Sequence, residues 1–158
     1  MAESQNDHPN INKNVHPPIV ALIFIAIAYV AKWAIPIPLV LPNVVRIIGF
    51  AFVIIGFLLG LIAFSEFNKA HTTLNPHGSV SSIITSGIYR FTRNPIYLGF
   101  LLMLIGFPLN SGTLWGLILA PVFIYSMNSL VIEKEEAYLE KKFRDVYTSY
   151  KSRVRRWL

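Results

Sequence analysis

The 158-residue chain has no cysteine, which excludes disulfides, thiol nucleophiles and thiolate metal sites. It is also poor in charge. Only 14% of its residues are Asp, Glu, Lys or Arg, against 54% hydrophobic, a balance too apolar for an ordinary soluble domain. None of the acidic residues falls inside an apolar run, so the chain lacks the intramembrane carboxylate that a proton-coupled transporter ordinarily needs. The first residues, MAESQNDHPNINKNVHPP, lack the basic start and small-residue cleavage site of an export signal. Their polar composition predicts a disordered tail over residues 1–18. Neither an internal repeat nor a low-complexity segment is present.

The net charge of +6 would suit nucleic acid, but its placement argues otherwise. Most charges lie after residue 133 or in the 66–95 connection, flanking apolar runs, which is the pattern of membrane topology and anionic headgroups. Four such runs are visible. Residues 19–41 form the first, closed as a helix by Pro36, Pro38 and Pro42, with Lys32 and Trp33 suited to the interface. The second, 44–64, is long enough to cross roughly 30 Å of hydrocarbon at about 1.5 Å per residue. Its Gly49, Gly56 and Gly60 lie near one face, and Gly56 and Gly60 form a small-xxx-small pair suited to close helix packing. The third run, 95–109, is short for a full span, whereas the fourth, 114–132, is long enough. Only Asn110-Ser111-Gly112-Thr113 separates them, so they read as a tight helical hairpin, the second arm kinked at Pro121. With four spans, twelve Lys and Arg residues fall on the side of the 66–94 connection and only Lys32 and Arg46 on the other. That asymmetry predicts that the connection and both ends of the chain are cytoplasmic.

After residue 132 apolar side chains recur at spacings of three and four: Leu139, Phe143, Val146, Tyr147, Tyr150, Val154 and Trp157. This predicts an amphipathic helix lying on a membrane or capping a protein surface. The fold class is therefore all-α: an integral membrane bundle of about four transmembrane helices with an amphipathic cytoplasmic C-terminal helix. The expected organisation is a tail over 1–18, two bracing helices over 19–65, and a core over 66–158 holding the connection, the hairpin and the last helix.

The stretch ITSGIYRFTRNPIYLG, residues 84–99, places arginines and an Asn-Pro at the mouth of the third apolar run. Asn94 suits a helix N-cap, its side chain accepting a backbone N–H, and Pro95 suits the first helical position. Arg93 adds a fork of donors beside the positive end of the helix, a combination that holds a carboxylate or phosphate. Positive-inside bias alone would also account for Arg90 and Arg93. The hairpin brings this mouth opposite Glu133, Glu135 and Glu136, and a ligand carrying both a carboxylate and cations would fit between. His71 and His77 lie in a loop of turn formers, and their spacing matches no metal motif.

These residues resemble the signature of the isoprenylcysteine carboxyl methyltransferase-like membrane methyltransferases, related in their core to phospholipid N-methyltransferases. The first motif stands here as Gly87, Tyr89, Arg93, Asn94, Pro95, Tyr97 and Gly99, and the second as Glu135, Glu136, Leu139, Phe143, Tyr147 and Tyr150. The resemblance covers roughly residues 64–158 and is nearest to short bacterial members, which implies a location in a bacterial inner membrane. It implies S-adenosylmethionine as methyl donor and a lipophilic acceptor entering from the bilayer. It implies Arg93 and Glu135 as catalytic residues, with Gly87, Tyr89, Asn94, Pro95, Tyr97 and Glu136 completing the cofactor site. Asn94 replaces a His of the eukaryotic enzymes and cannot act as an acid or base at neutral pH. The alternatives are a small four-helix transporter and a non-catalytic membrane adaptor.

Overall fold

The structure, a computed structural model, describes residues 9, 12, 15–70 and 81–158. Most of the 1–18 tail, together with His71 and His77, lies outside the described residues. Those described contain no strand. They form helix α1 (Pro17–Ala34), α2 (Asn43–Lys69), a short 3-10 turn (Gly87–Arg90), α3 (Pro95–Asn110), α4 (Trp115–Met127), a π turn (Asn128–Ile132) and α5 (Glu133–Arg153). Three helices are long and apolar enough to cross a membrane: Pro17–Ala34, Asn43–Lys69 and the continuous run Trp115–Arg153, whose apolar part ends at Ile132. The fourth, α3, is apolar but has only 16 residues. Large apolar side chains face outward along α1, α2 and α4, including Leu22, Val30, Ile47, Phe57 and Val122, as a helical membrane bundle requires.

Helix ends follow local chemistry. Pro17 and Pro95 occupy first-turn positions, where a missing N–H costs nothing. Pro36, Pro38 and Pro42 keep the chain non-helical between α1 and α2. Helix α4 runs through Pro121, and the departure from α-helical bonding comes further on, at the π turn. The amphipathic tail folds as α5, but Arg144 breaks its helical geometry at φ 45°, ψ −122°, and the helix stops at Arg153. Val154 and Trp157 therefore lie beyond the helix. Within it, Tyr147 and Tyr150 turn inward while Val146 stays exposed.

Helix α3 is the centre of the bundle, with α2 on one side and α1 and α4 on the other. The α2–α3 contact is backbone against backbone. A Cβ on Gly56 would stand 2.6 Å from the Gly99 carbonyl oxygen, one on Gly99 would stand 2.6 Å from that of Gly56, and Gly106 stands in the same relation to Gly49. The two helices are thus antiparallel and fused along one face by glycine pairs two turns apart. Gly60 has no atom within 4 Å of a would-be Cβ, so Gly49 and Gly56 make the close packing, and not the Gly56–Gly60 pair. On the other side, Leu104, Phe123, Met127, Val131 and Ile132 close the core with Ala21, and Phe24 meets Phe123 edge to face at 5.4 Å.

At the end of the bundle away from the Asn-Pro motif, Lys32 Nζ donates to the Ser111 carbonyl at 2.7 Å, and Arg46 Nε donates to that of Asn110 at 3.0 Å. Both cations cap the last carbonyls of α3 and the turn after it. Replacing Gly56 by Val should lower the thermal stability of the detergent-purified protein by about 2 kcal/mol, while Gly60→Val should leave it within about 0.5 kcal/mol. Thermal unfolding followed by circular dichroism measures both; equal losses would contradict the glycine contact.

Candidate active site

The first turn of α3, the 3-10 turn and the first turns of α5 meet around a cavity of about 150 Å³. Arg93, Asn94, Ile96 and Tyr97 form one wall, and Glu135, Glu136, Tyr138 and Leu139 the facing wall. Tyr89, Tyr147, Tyr150, Phe67 and Ile83–Ile84 complete it. The π turn precedes Glu133 directly and sets the rotational phase at which the glutamates leave the bundle.

The expected meeting of arginine and carboxylates is direct. Arg93 Nη2 lies 3.0 Å from Glu136 Oε1, and both side chains are more than nine-tenths buried. Glu136 also receives a two-pronged contact from Arg156, Nε to Oε1 at 3.0 Å and Nη2 to Oε2 at 2.8 Å. The glutamates thus divide. Glu136 is taken up by two guanidinium groups, Glu133 is exposed, and Glu135 accepts a hydrogen bond from the Tyr97 hydroxyl at 2.8 Å while lining the cavity. Burial pushes the Glu135 carboxyl up to about 7, and the neighbouring Glu136 charge adds to this while the Tyr97 hydroxyl opposes it. Burial likewise raises the phenols of Tyr89, Tyr147 and Tyr150, the last to about 12 with Arg93 opposing, so all three stay protonated near neutral pH.

Arg93 has a second property. Its Nε and Nη1 are buried yet have no hydrogen-bond partner among the described residues. Buried donors in folded proteins are nearly always paired, so an orphaned guanidinium on a cavity wall calls for an acceptor. A carboxylate is the natural one.

Not every residue expected at the site lines the cavity. Gly87 holds φ +57°, and a Cβ there would meet the Glu66 carboxylate at 2.8–3.0 Å; it shapes the turn that presents Tyr89. Pro95 starts α3 and is buried behind the wall. Asn94 is the N-cap residue, but its side chain makes no capping bond. Its Nδ2 donates instead to the Arg156 carbonyl at 2.9 Å, while its backbone N–H is taken by Thr92 Oγ1. Arg156 went unnoticed in the sequence because it follows the last helix and pairs across 20 residues. The hint available was the excess of glutamates at 133–136 over the one arginine facing them.

The sequence profile of the phospholipid methyltransferase family matches residues 44–146, which spans α2 through the first two thirds of α5. The chain belongs to that family. An uncharacterised protein of Haemophilus influenzae is 43% identical over 63 residues, 40% of this chain and the whole of the relative. The protein-S-isoprenylcysteine O-methyltransferase of Schizosaccharomyces pombe is 31% identical over 85 residues, 54% of this chain but 36% of the yeast protein. No solved structure matches the chain. Fold and family together make this an integral membrane protein of a methyltransferase family.

The raised Glu135 carboxyl has a consequence for stability. The folded state holds that proton more tightly than the unfolded chain, so folding weakens as pH rises from about 4.5 to about 7. Glu135→Gln keeps an acceptor for Tyr97 and removes the charge. It should raise the melting temperature at pH 8 and leave it nearly unchanged at pH 4.5; a gain equal at both pH values would contradict the buried charge.

Proposed function

We propose that the protein transfers a methyl group from S-adenosylmethionine to a lipophilic acceptor, carrying a carboxyl, amine or thiol, that reaches the cavity from the bilayer. The observation that carries this reading is Arg93: a buried guanidinium on the cavity wall, with two unpartnered nitrogens, across from a cavity-lining carboxylate. Arg93 would hold the carboxylate of the cofactor, and Glu135 would face its ammonium or sulfonium. Tyr89, Tyr97 and the Ile83–Ile84 pair would enclose the nucleoside. When bound, the cofactor supplies an electrophilic methyl group on sulfur.

The chain's own contribution is then alignment and exclusion of water. Arg93 and Glu135 fix the two charged ends, and Leu139, Ile96 and Phe67 give the cavity an apolar lining. In-line displacement requires no protein nucleophile. For an acceptor that must lose a proton, the Glu135 carboxylate, with its pKa near 7, is the base within the cavity. Residues 66–158 act as the catalytic core and the helices before them as the brace. The name of the family and that of the yeast relative both describe acceptors bearing lipid groups, which supports lateral entry from the membrane. Eleven of the thirteen described Lys and Arg residues stand at the end of the bundle that holds the cavity or beyond it, with Lys32 and Arg46 at the other, which supports a cytoplasmic site in a bacterial inner membrane.

Calorimetric titration of S-adenosylhomocysteine into the detergent-purified protein tests the reading. Binding should weaken at least about tenfold in Arg93→Gln, which leaves Glu136 paired with Arg156 and so leaves no buried charge alone. Wild-type affinity should also fall as pH drops below about 7, where Glu135 takes up a proton, and Glu135→Gln should flatten that profile. A folded wild-type protein that does not bind would remove the reading and favour a membrane adaptor.

A further inference from the structure

The pairing of Arg93 on the cavity wall is set by a residue outside that wall, Arg156. Glu136 is one buried carboxylate shared by two arginines, and Lys151 Nζ stands a further 3.9 Å away. Arg156 holds it with two nearly parallel contacts, one to each oxygen, whereas Arg93 reaches it through Nη2 alone. Arg156 also has the exposed Glu133 at 3.8 Å, whereas Glu136 is the one carboxylate paired with the buried Arg93; a buried guanidinium whose single carboxylate is shared is costly until a further acceptor joins it. The incomplete pairing falls on Arg93, whose Nε and Nη1 are the unpartnered nitrogens.

We propose that Arg156 is a positioning residue: by occupying both oxygens of Glu136, it keeps Arg93 from being neutralised and so makes the cavity selective for ligands that carry a carboxylate. Without the Arg156 side chain, Glu136 and Arg93 form a closed, neutral pair, and the guanidinium turns both prongs to its own glutamate. The proposal rests on the cofactor reading above and specifies which part of that cofactor the chain recognises through Arg156.

The placement of Arg156 is built into the backbone around it. The Arg93 N–H donates to the Arg155 carbonyl at 3.0 Å. Asn94 Nδ2 and Thr92 Oγ1 donate to the Arg156 carbonyl at 2.9 and 3.3 Å, and the Trp157 indole donates to Asn128 Oδ1 at 3.1 Å. Residues 155–157 are thus fastened at the mouth of α3 and at the π turn by bonds that do not use the Arg156 side chain. A substitution there removes the guanidinium and leaves the strap attached.

The test compares two ligands on the full chain in detergent: S-adenosylhomocysteine and its decarboxylated form, S-adenosyl-3-thiopropylamine. R156Q should weaken the first by about tenfold, the scale of one charge-assisted contact, and leave the second unchanged. R156K keeps the charge without the fork and should fall between. Equal weakening of both ligands would show a merely structural role and overturn the proposal, as would no weakening of either. A wild-type protein that binds neither ligand would remove the cofactor reading and this inference with it. Wild-type binding of both with equal affinity would leave the cofactor reading standing and overturn the inference.

Discussion

One buried carboxylate joins the parts of this molecule that matter for its chemistry. Glu136 sits at the start of α5, takes Arg93 from the mouth of α3, and takes Arg156 from the segment after α5. Remove it, and the buried Arg93 loses its one carboxylate partner while Arg156 keeps only the exposed Glu133 at 3.8 Å. The cavity exists because these three elements are drawn to one point, and its polarity follows from how the charges divide there. Glu135, one residue earlier, is left to the cavity with Tyr97 as its partner.

The bundle supplies the rigidity this arrangement needs. Glycine pairs let the α2 and α3 backbones touch, so α3 cannot slide or roll against its neighbour without a clash. At the far end, Tyr29, Lys32 and Arg46 donate to backbone carbonyls at or beside the hairpin turn, and the Trp115 indole donates to the Ile35 carbonyl at the end of α1. The mouth of α3 is therefore fixed from below by packing and from the opposite end by capping. A site that aligns two reactants benefits from such a frame, since small misplacements are costly in rate.

Much of this was legible in the sequence. The apolar runs, the proline cluster after α1, the start of α3 at Asn94-Pro95 and the hairpin all follow from local rules that membrane helices obey closely. The paired signatures named the family correctly and brought arginine and glutamate to the same place. What the sequence did not disclose was pairing. Three glutamates at 133–136 are equivalent by composition, and only the helix phase after the π turn decides which of them is buried. Asn94 reads as a side-chain cap, yet a carbonyl sixty-two residues away competes for its amide and wins. The apolar stripe past residue 139 looks continuous, but Arg144 and the helix end at Arg153 split it. Glycine spacing was visible, while the choice of Gly49 and Gly56 over Gly60 depends on where α3 lies.

The π turn at Asn128–Ile132 carries a wider consequence. Each residue added to or taken from an α-helix rotates everything beyond it by about 100°. The turn sits between the part of the helix anchored in the core and the part that presents Glu135 and Glu136, so it acts as the angular setting of the face that lines the cavity. The number of residues between Phe123 and Glu136 therefore decides which glutamate faces the cavity. Along that stretch a single insertion would turn Glu135 and Glu136 away from the cavity without altering any loop.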